Sequence, residues 1–323
     1  MAMVALVQQA PVILDKEATL EKAVAIIGEL AAQGAELIVF PEAFIPGYPA
    51  WIWRLRPGGD WGTSETLHKR LYRNSVDVGA GDLQPLFAAA RENHVTVVCG
   101  LNELDPSNSH ATLFNSVVVI GPEGRLLNHH RKLMPTNPER MVWGFGDGSG
   151  LNVVETPVGR VGALVCWENY MPLARYALYA QGVEVYIAPT YDSGEGWIGT
   201  MQHIAREGRC WVLCCGVAIE RADLPADFPE LDALYPPEES WINPGDSLIV
   251  APGGSVVAGP LSGEKGYVLY DIDLEQVTTA RRALDVTGHY SRPDVFTLEV
   301  NKLRQQSLKV TGIDPNQTGG SDR

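Results

Sequence analysis

Positive charge is scarce in this sequence. The 323 residues include 25 Lys and Arg against 39 Asp and Glu, which gives a net charge of −14 at pH 7. The densest basic cluster is the short stretch His-His-Arg-Lys at 129–132. Proteins that bind nucleic acid carry a basic patch or stripe that follows the phosphate backbone. The composition therefore excludes nucleic acid as a partner.

Long apolar runs and paired cysteines are lacking as well. No uninterrupted apolar run is long enough to span a bilayer, which takes ~20 residues. No basic residue precedes Lys16, so the first residues are predicted to form a strand and a helix rather than a signal peptide. Five cysteines in a long chain do not indicate a disulfide framework. We therefore expect a soluble, cytoplasmic protein without a membrane partner.

Strand and helix patterns alternate along the chain, and the 45% apolar content is that of a globular protein with a sizeable core. Several predicted strands are apolar on both faces, which predicts that helices cover both sides of the sheets. The pattern therefore indicates an α/β fold. Predicted strands include MVALVQQ, AELIVF, VTVVCGLNE, VEVYIAP and WVLCCGVAI, and predicted helices cover 16–34, 64–75, 84–93, 171–181, 198–208 and 274–284.

The chain shows no linker between domains before about residue 300, so residues 1–300 are predicted to form a single domain. Residues 221–245 are acidic and rich in proline, which predicts a long surface excursion. Residues 301–323 become polar and rich in glycine and are predicted to be a C-terminal tail. The Asn-Gln-Thr sequence at 316–318 is interpreted as a chance glycosylation motif in a cytoplasmic chain.

Three chemically active side chains follow predicted strands: Glu42 after LIVFP, Lys132 after RLLNHHR, and Cys166 after GALV. Ligands of α/β folds bind beyond the carboxyl ends of strands, so the three would share a pocket if their strands were neighbours in one sheet. A carboxylate base and an ammonium ion beside a thiol can supply a nucleophilic thiolate. Taken singly, Glu42 fits a solvated carboxylate, Lys132 a surface ammonium and Cys166 a buried small hydrophobe, a metal ligand or a redox thiol.

Three segments together resemble the signature segments of one enzyme family. FPEAFIPGYP (40–49), HHRKLMPTNPERMVWG (129–144) and CWENYMPLARYALY (166–179) are similar to those of the nitrilase branch of the carbon–nitrogen hydrolase superfamily, in the same order. Later segments extend the resemblance over residues 4–300. The resemblance implies a four-layer αββα sandwich that covers residues 1–300 and pairs into αββα–αββα dimers or higher homo-oligomers.

The resemblance also assigns roles to four residues. Cys166 matches the nucleophile, Glu42 the general base and Lys132 the residue that stabilises the tetrahedral intermediate, and Glu139 matches a second glutamate near the lysine and the substrate. The implied reaction is hydrolysis of a small organic nitrile to the carboxylic acid and ammonia through a thioimidate on Cys166, with no metal and no other cofactor. An amidase or a cyanide-processing enzyme with the same Glu-Lys-Cys triad is the alternative.

Aromatic residues close to these segments are predicted to bury the organic part of an uncharged substrate. Ordinary core packing is the alternative for each of them, and for Trp53 above all. The Cys-Trp-Glu-Asn sequence at 166–169 is similar to the nitrilase branch, whereas amidase branches more often have Tyr or Phe and then Asp after the cysteine. The predicted substrate-binding residues are Tyr48, Trp53, Trp143, Trp167 and Tyr191.

Two other classes of protein are less compatible with the sequence. A redox or metal-thiolate protein needs a partner cysteine near Cys166, and no Cys-x-x-Cys pair is present. The spacing of Cys210, Cys214 and Cys215 is not that of a zinc site. A binding module that keeps the fold without activity would usually have lost one member of the Glu-Lys-Cys set, and all three residues are present.

Overall fold

Strands and helices alternate along most of the chain in the computed structural model, which describes residues 1–106 and 110–305. The predicted elements match the observed ones to within a few residues at their ends, except that the predicted strand WVLCCGVAI is divided into two strands. The strands are β1 (Ala2–Gln8), β2 (Leu37–Val39), β3 (Thr96–Leu104), β4 (Leu113–Ile120), β5 (Leu126–Arg131), β6 (Val153–Thr156), β7 (Gly159–Ala163), β8 (Val185–Thr190), β9 (Trp211–Gly216), β10 (Ala218–Glu220), β11 (Trp241–Val250), β12 (Val256–Ser262) and β13 (Gly266–Ile272). The helices are α1 (Lys16–Ala32), α2 (Trp61–Arg73), α3 (Gln84–Asn93), α4 (Pro172–Ala180), α5 (Glu195–Gly208), α6 (Leu231–Leu234) and α7 (Glu275–Ala283).

The strands form two mixed sheets. The first has the order β13-β1-β2-β3-β4-β5, and the second has the order β10-β11-β9-β8-β7-β6 with β12 paired to β11. Strands β1, β2 and β3 are parallel to one another, as are β7, β8 and β9. The centre of each sheet is therefore a parallel unit, which is the arrangement that brings strand ends and their loops to a common edge.

The two sheets pack face to face, and helices cover their outer faces. Buried residues of β1 and β2 such as Leu6 and Val39 belong to one apolar cluster with Ile187 of β8 and Leu213 of β9. Helices α1 and α3 cover the first sheet, and α4 and α5 cover the second. Burying each Leu or Ile side chain contributes about 1.5–3 kcal/mol. The expected αββα sandwich is confirmed, but helices cover only one face of each sheet, because the other face is covered by the second sheet.

Helix α1 shows how the sequence specifies these elements. The Asp15 side chain caps its first turn by accepting a hydrogen bond from the Ala18 amide at 3.0 Å. The predicted terminator Gly34 follows the last turn with φ of +96°, a left-handed conformation that glycine adopts without strain. The apolar face repeats every three or four residues and is buried against the first sheet. It consists of Leu20, Ala23, Ile26, Ile27 and Leu30.

Residues 221–245 pack onto the region around α2. Their short helix α6 is followed by Tyr235, which is fully buried, and Phe228 stacks edge-on against both Tyr235 and Trp51. The carboxylate of Glu239 pairs with the guanidinium of Arg54. The predicted surface excursion is thus attached to the body of the fold by apolar and ionic contacts.

The division into one domain over residues 1–300 and a tail over 301–323 stays a prediction. Residues 306–323, with the Asn-Gln-Thr sequence at 316–318, lie outside the described part of the chain. Within residues 1–106 and 110–305, no helix is both long and apolar enough to cross a bilayer.

Candidate active site

The three residues predicted to act together come from two different sheets. Glu42 lies shortly after β2, Lys132 directly follows β5, and Cys166 lies shortly after β7. Strands β2 and β5 belong to the first sheet with β3 and β4 between them, whereas β7 belongs to the second sheet. The three strands are therefore not neighbours in one sheet. Their side chains still meet, because the two sheets of the sandwich face each other and their loops converge at the same end.

Glu42 is completely buried and fully hydrogen-bonded. Its Oε1 accepts from Lys132 Nζ at 2.8 Å and from Asn115 Nδ2 at 2.7 Å, and its Oε2 accepts from the backbone amide of Tyr191 at 2.8 Å. Asn115 lies on β4 and Tyr191 directly follows β8, so both sheets hold this carboxylate. A carboxylate fixed by three donors keeps one orientation, which a positioned general base requires.

Gly100 of β3 permits the path of the chain around Glu42. A Cβ atom at this position would lie 2.3 Å from the Pro41 carbonyl oxygen and 2.6 Å from the Ala43 amide nitrogen. Both neighbours are backbone atoms and cannot move aside as a flexible side chain would. Ala43 itself has φ of +49°, a conformation that non-glycine residues seldom adopt. The backbone around the carboxylate is therefore tightly constrained.

Lys132 lies between two buried carboxylates. Its Nζ donates to Glu139 Oε2 at 2.8 Å as well as to Glu42. The Glu139 carboxylate is held in turn by Tyr48, whose hydroxyl donates to Oε1 at 2.7 Å, and by the Thr136 amide, which donates to Oε2 at 2.6 Å. Glu139 lies in a 3₁₀ turn at Asn137–Met141 soon after Lys132. The second glutamate thus fixes the position of the ammonium group.

Burial and these neighbours shift the pKa values of the three groups. Burial raises the pKa of Glu42 above its usual range, although Lys132 opposes the shift. Burial also raises the pKa of the Cys166 thiol well above its ordinary value, and the Glu42 carboxylate adds to this. For Lys132 burial acts to lower the pKa, but Glu42, Cys166 and Glu139 together raise it. At neutral pH the lysine is therefore charged and the thiol keeps its proton.

Cys166 begins a tight turn that the neighbouring residues hold in place. Its φ is +52°, and it starts the 3₁₀ turn Cys166–Tyr170 between β7 and α4. The Asn169 side chain donates to the carbonyl oxygens of Leu164 and Cys166 at 3.0 and 2.7 Å. Only 4% of Cys166 is exposed. The predicted strand-to-helix corner is present, and the left-handed backbone at the cysteine is maintained by hydrogen bonds around it.

Glu168 links the loop of Cys166 to the loop of Lys132. Its carboxylate accepts from the backbone amides of Val165 and Leu133, both at 2.7 Å, and contacts His130 Nε2 at 3.0 Å. Burial acts to raise its pKa, but His130 and these amides outweigh it, so the pKa lies below the usual range. Neither Glu168 nor Asn115 was predicted as a site residue from the sequence. A polar residue inside an apolar strand, as in LFNSVVVI, was the available signal for Asn115.

A cavity of about 280 Å³ opens beside the thiol. The predicted residues Tyr48, Trp53, Trp167 and Tyr191 line it together with Cys166 and Glu139. The rings of Tyr48 and Tyr191 stack in parallel with centroids 3.9 Å apart, and Trp53 Nε1 donates to the Tyr48 hydroxyl at 2.9 Å. Trp53 and Trp167 are about half exposed. Further lining residues are Thr136, Asp192, Ser193, Ile242, Asn243 and Pro244.

Trp143 has a different position from the other predicted aromatic residues. It is buried, does not line the cavity, and packs edge-on against Tyr48 with ring centroids 5.5 Å apart. Its Nε1 donates to Asn102 Oδ1 at 2.9 Å. Its ring therefore supports Tyr48 from behind. Among the residues that the structure describes, no cluster of three or more His, Cys, Asp or Glu side chains is arranged to hold a metal ion.

Known proteins with a similar sequence are named nitrilases. The chain is 41% identical over 308 residues to a bifunctional nitrilase/nitrile hydratase of Lupinus angustifolius, covering 91% of this chain and 84% of that protein. It is 41% identical over 299 residues to an aliphatic nitrilase of Sinorhizobium fredii, covering 92% of this chain and 95% of the relative. Both matches extend over nearly the whole chain.

A solved structure with a similar fold and a family model lead to the same family as these relatives. The crystal structure of Saccharomyces cerevisiae Nit3, a member of the nitrilase superfamily, is similar with a TM-score of 0.68 and 20% identity, covering 90% of this chain and 96% of the yeast chain. At this identity the likeness concerns the fold alone. The family model for carbon–nitrogen hydrolases matches residues 3–282. The chain therefore belongs to the carbon–nitrogen hydrolase family.

Proposed function

We propose that this enzyme is a nitrilase, which hydrolyses an organic nitrile to the carboxylic acid and ammonia. The observation that carries the proposal is the Lys132 ammonium between two buried carboxylates, beside the Cys166 thiol at an aromatic-lined cavity. This set contains a nucleophile, a base and a cation. The sequence identity to named nitrilases supports a nitrile as the substrate.

In the first half of the reaction the Cys166 sulfur attacks the nitrile carbon. The thiol proton moves to the Glu42 carboxylate as the C–S bond forms, and Glu42 then passes this proton to the nitrile nitrogen to give a thioimidate. The raised pKa of Glu42 suits this role, because a more basic carboxylate accepts the proton of a thiol more readily. The thioimidate is covalently attached to Cys166.

In the second half two water molecules are consumed. Glu42 takes a proton from the first water, which adds to the thioimidate carbon and gives a tetrahedral intermediate. The Lys132 ammonium stabilises the negative charge of this intermediate. Glu42 gives the proton of the first water to the nitrogen, and ammonia departs with the hydroxyl proton of the intermediate and leaves a thioester. A second water then gives a proton to Glu42 and adds to the thioester, and Glu42 returns the proton to the Cys166 sulfur as the carboxylic acid is released. Glu139 keeps the lysine in position throughout.

The organic group of the nitrile occupies the cavity between the aromatic rings. Tyr48, Trp53, Trp167 and Tyr191 provide apolar surface next to Cys166, and Trp143 keeps Tyr48 in place. A cavity of about 280 Å³ has room for a small molecule rather than a polymer. These rings favour an uncharged organic group.

Release of the amide in place of the acid has specific support as an alternative outcome of the reaction. The Lupinus angustifolius relative is named as both a nitrilase and a nitrile hydratase. If the thiol rather than ammonia leaves the tetrahedral intermediate, the product is the amide. We therefore propose that a fraction of turnover ends at the amide. An amidase or a cyanide-processing enzyme with the same triad remains the competing assignment.

Ammonia release from a panel of aliphatic and aromatic nitriles tests the proposal, with Cys166→Ala as the matched control and with acid and amide products quantified. We expect release by the wild type and none by the variant. Release from the matching amides but from no nitrile would assign the enzyme to the amidases. Release from cyanide alone would assign it to the cyanide-processing enzymes.

Assembly and location belong to the same proposal. We propose that the sandwich pairs into dimers or higher homo-oligomers and that the enzyme acts in the cytoplasm. Light scattering coupled to size-exclusion chromatography measures the first, and a monomeric mass in an active sample would contradict it. Fractionation of the source cells tests the second.

A further inference from the structure

Thr190 contacts the sulfur of Cys166 directly, although the scheme above gives it no role. It is the last residue of β8 and is completely buried. Its hydroxyl donates to Cys166 Sγ at a distance of 3.3 Å. The same hydroxyl oxygen accepts a hydrogen bond from the backbone amide of Asp192 at 2.8 Å. A chain of two hydrogen bonds therefore ends on the reacting atom.

The Thr190 hydroxyl is the donor in its contact with the sulfur. The Asp192 amide can only donate, so it occupies one lone pair of the Thr190 oxygen while the hydroxyl proton is directed at the sulfur. The position of the hydroxyl is fixed as well. A threonine side chain has few allowed rotamers, and Thr190 is held on one side by its pairing with Gly216 of β9.

We propose that Thr190 is a catalytic residue whose hydroxyl stabilises the negative charge on the Cys166 sulfur when the thiol proton moves to Glu42. This inference rests on the proposed function, in which Cys166 is the nucleophile. As the proton leaves, the Thr190 O–H becomes a hydrogen bond to an anion, which is stronger than a bond to a neutral thiol. In the covalent intermediates the sulfur carries no charge and the bond weakens again. The interaction thus favours the step at which charge develops.

The charged groups around the sulfur explain why a neutral donor matters there. Glu42 and Glu139 face Cys166 and oppose formation of the thiolate, and Lys132 favours it. The lysine charge is already shared between the two carboxylates. Asp192 contributes its backbone amide to the chain, while its carboxylate accepts from Trp167 Nε1 at 2.7 Å. The Thr190 hydroxyl supports the thiolate without adding charge to the pocket.

The test compares Thr190→Val with Thr190→Ser. Valine has nearly the shape of threonine and lacks the hydroxyl, whereas serine keeps it. The rate of Cys166 alkylation by iodoacetamide is measured against pH, with the modified peptide identified by mass spectrometry. Ammonia release gives kcat and KM. For the valine variant we expect the apparent thiol pKa to rise by about one to two units and kcat and kcat/KM to fall together by about 10- to 100-fold. The serine variant is expected to stay within about threefold of the wild type.

The second pair Thr190→Ala and Thr190→Ser differs only in the hydroxyl and separates its effect from packing. Equal losses in alanine and serine variants would show that the methyl group matters, and an unchanged thiol pKa in the valine variant would also overturn the inference. Failure of the proposed function has a different result, namely no ammonia release by the wild type or undiminished release by Cys166→Ala.

Discussion

Two adjacent residues, Arg131 and Lys132, belong to two different buried ionic clusters. Successive side chains along an extended segment point to opposite sides, so the two cations face different surroundings. The Arg131 guanidinium pairs with Glu103 and with Asp105, and Glu103 also contacts His129 Nε2 at 2.7 Å. Lys132 pairs with Glu42 and with Glu139. Both clusters are shielded from water, yet only the second borders the cavity.

The direction in which the carboxylate pKa is shifted separates the two clusters. Burial acts to raise the pKa of Glu103, but His129 and Arg131 outweigh it and lower the pKa to about 2. In the other cluster a single ammonium serves two carboxylates, and burial keeps the pKa of Glu42 raised. The cationic partners of Glu103 therefore keep it ionised at neutral pH, whereas burial makes Glu42 more basic than an ordinary glutamate. The same residue types form a stabilising ion pair in one case and include the proposed general base in the other.

Replacement of Lys132 should have the largest effect on catalysis. Lys132→Met leaves Glu42 and Glu139 without their ammonium group and removes the charge that we propose stabilises the tetrahedral intermediate, so we expect kcat/KM for nitrile hydrolysis to fall by about 10³-fold or more. Arg131→Met is the control. It breaks the other ion pair, and its kcat per folded molecule should stay within about threefold of the wild type.

Comparable losses of kcat in the two folded variants would contradict the separation of the clusters. Circular dichroism and the melting temperature identify the folded fraction, so a loss of folding in Arg131→Met is not counted as a loss of catalysis.

Glu103→Gln should affect stability rather than activity. The folded pKa of Glu103 lies below its unfolded value, so its contribution is present above a pH of about 4.5 and is lost as the pH falls toward 2. We expect a loss on the order of 3 kcal/mol in the free energy of unfolding at pH 7, with a smaller difference from the wild type at pH 3. Urea denaturation at several pH values measures both.

A difference between wild type and Glu103→Gln that does not change with pH would contradict the assigned pKa. Glu103 and Arg131 also contact one another in the folded state, so their double variant should lose less stability than the sum of the single losses.

The pH dependence of activity should report Glu42 and not Glu103. Because the pKa of Glu42 is raised, this carboxylate takes up a proton and loses its function as a base at a higher pH than an ordinary glutamate. We expect kcat/KM to fall about tenfold per pH unit on the acid side, beginning above the ordinary glutamate pKa near 4.3. The melting temperature should change little at the onset of this fall.

Simultaneous loss of activity and of folding over the same pH interval would mean that the acid limb measures unfolding. That result would contradict the assignment of the acid limb to Glu42.

Trp53→Phe should have the smallest effect. It removes the hydrogen bond from Nε1 to the Tyr48 hydroxyl while keeping an aromatic ring at the cavity. Tyr48 still donates to Glu139, so the catalytic cluster stays intact. We expect KM for an aromatic nitrile to rise about two- to fivefold with kcat nearly unchanged, consistent with loss of one neutral hydrogen bond. A large loss of kcat would show instead that Trp53 acts on the Glu139–Lys132 cluster.

Much of the fold was predictable because apolar periodicity and turn residues determine the local elements, as in α1 with Asp15 and Gly34. The pairing of two sheets was not visible in that pattern, since a strand buried on both faces has the same composition whether helices or a second sheet cover it. For the same reason the strand pattern alone did not separate the sheet of Cys166 from that of Glu42. The sandwich was expected only from the family resemblance.

The site was predictable where a chemically active side chain directly follows a recognisable strand pattern, as at Cys166 and Lys132. Trp143 shows the limit: sequence proximity to Glu139 suggested a place in the cavity, and the ring instead packs behind Tyr48. Thr190 was missed because a threonine at the end of an apolar strand looks like any β-branched residue. Its contact with the sulfur depends on how the end of β8 meets the turn at Cys166, which no local pattern encodes.

The most direct test of the account is the mass of the enzyme during turnover of a slowly hydrolysed nitrile. An acid quench followed by peptide mass spectrometry should reveal a thioimidate or acyl adduct on the peptide that contains Cys166, and Cys166→Ala should show neither adduct nor ammonia release. Ammonia release that persists in Cys166→Ala, or an adduct carried by another residue, would contradict the assignment of Cys166 as the nucleophile.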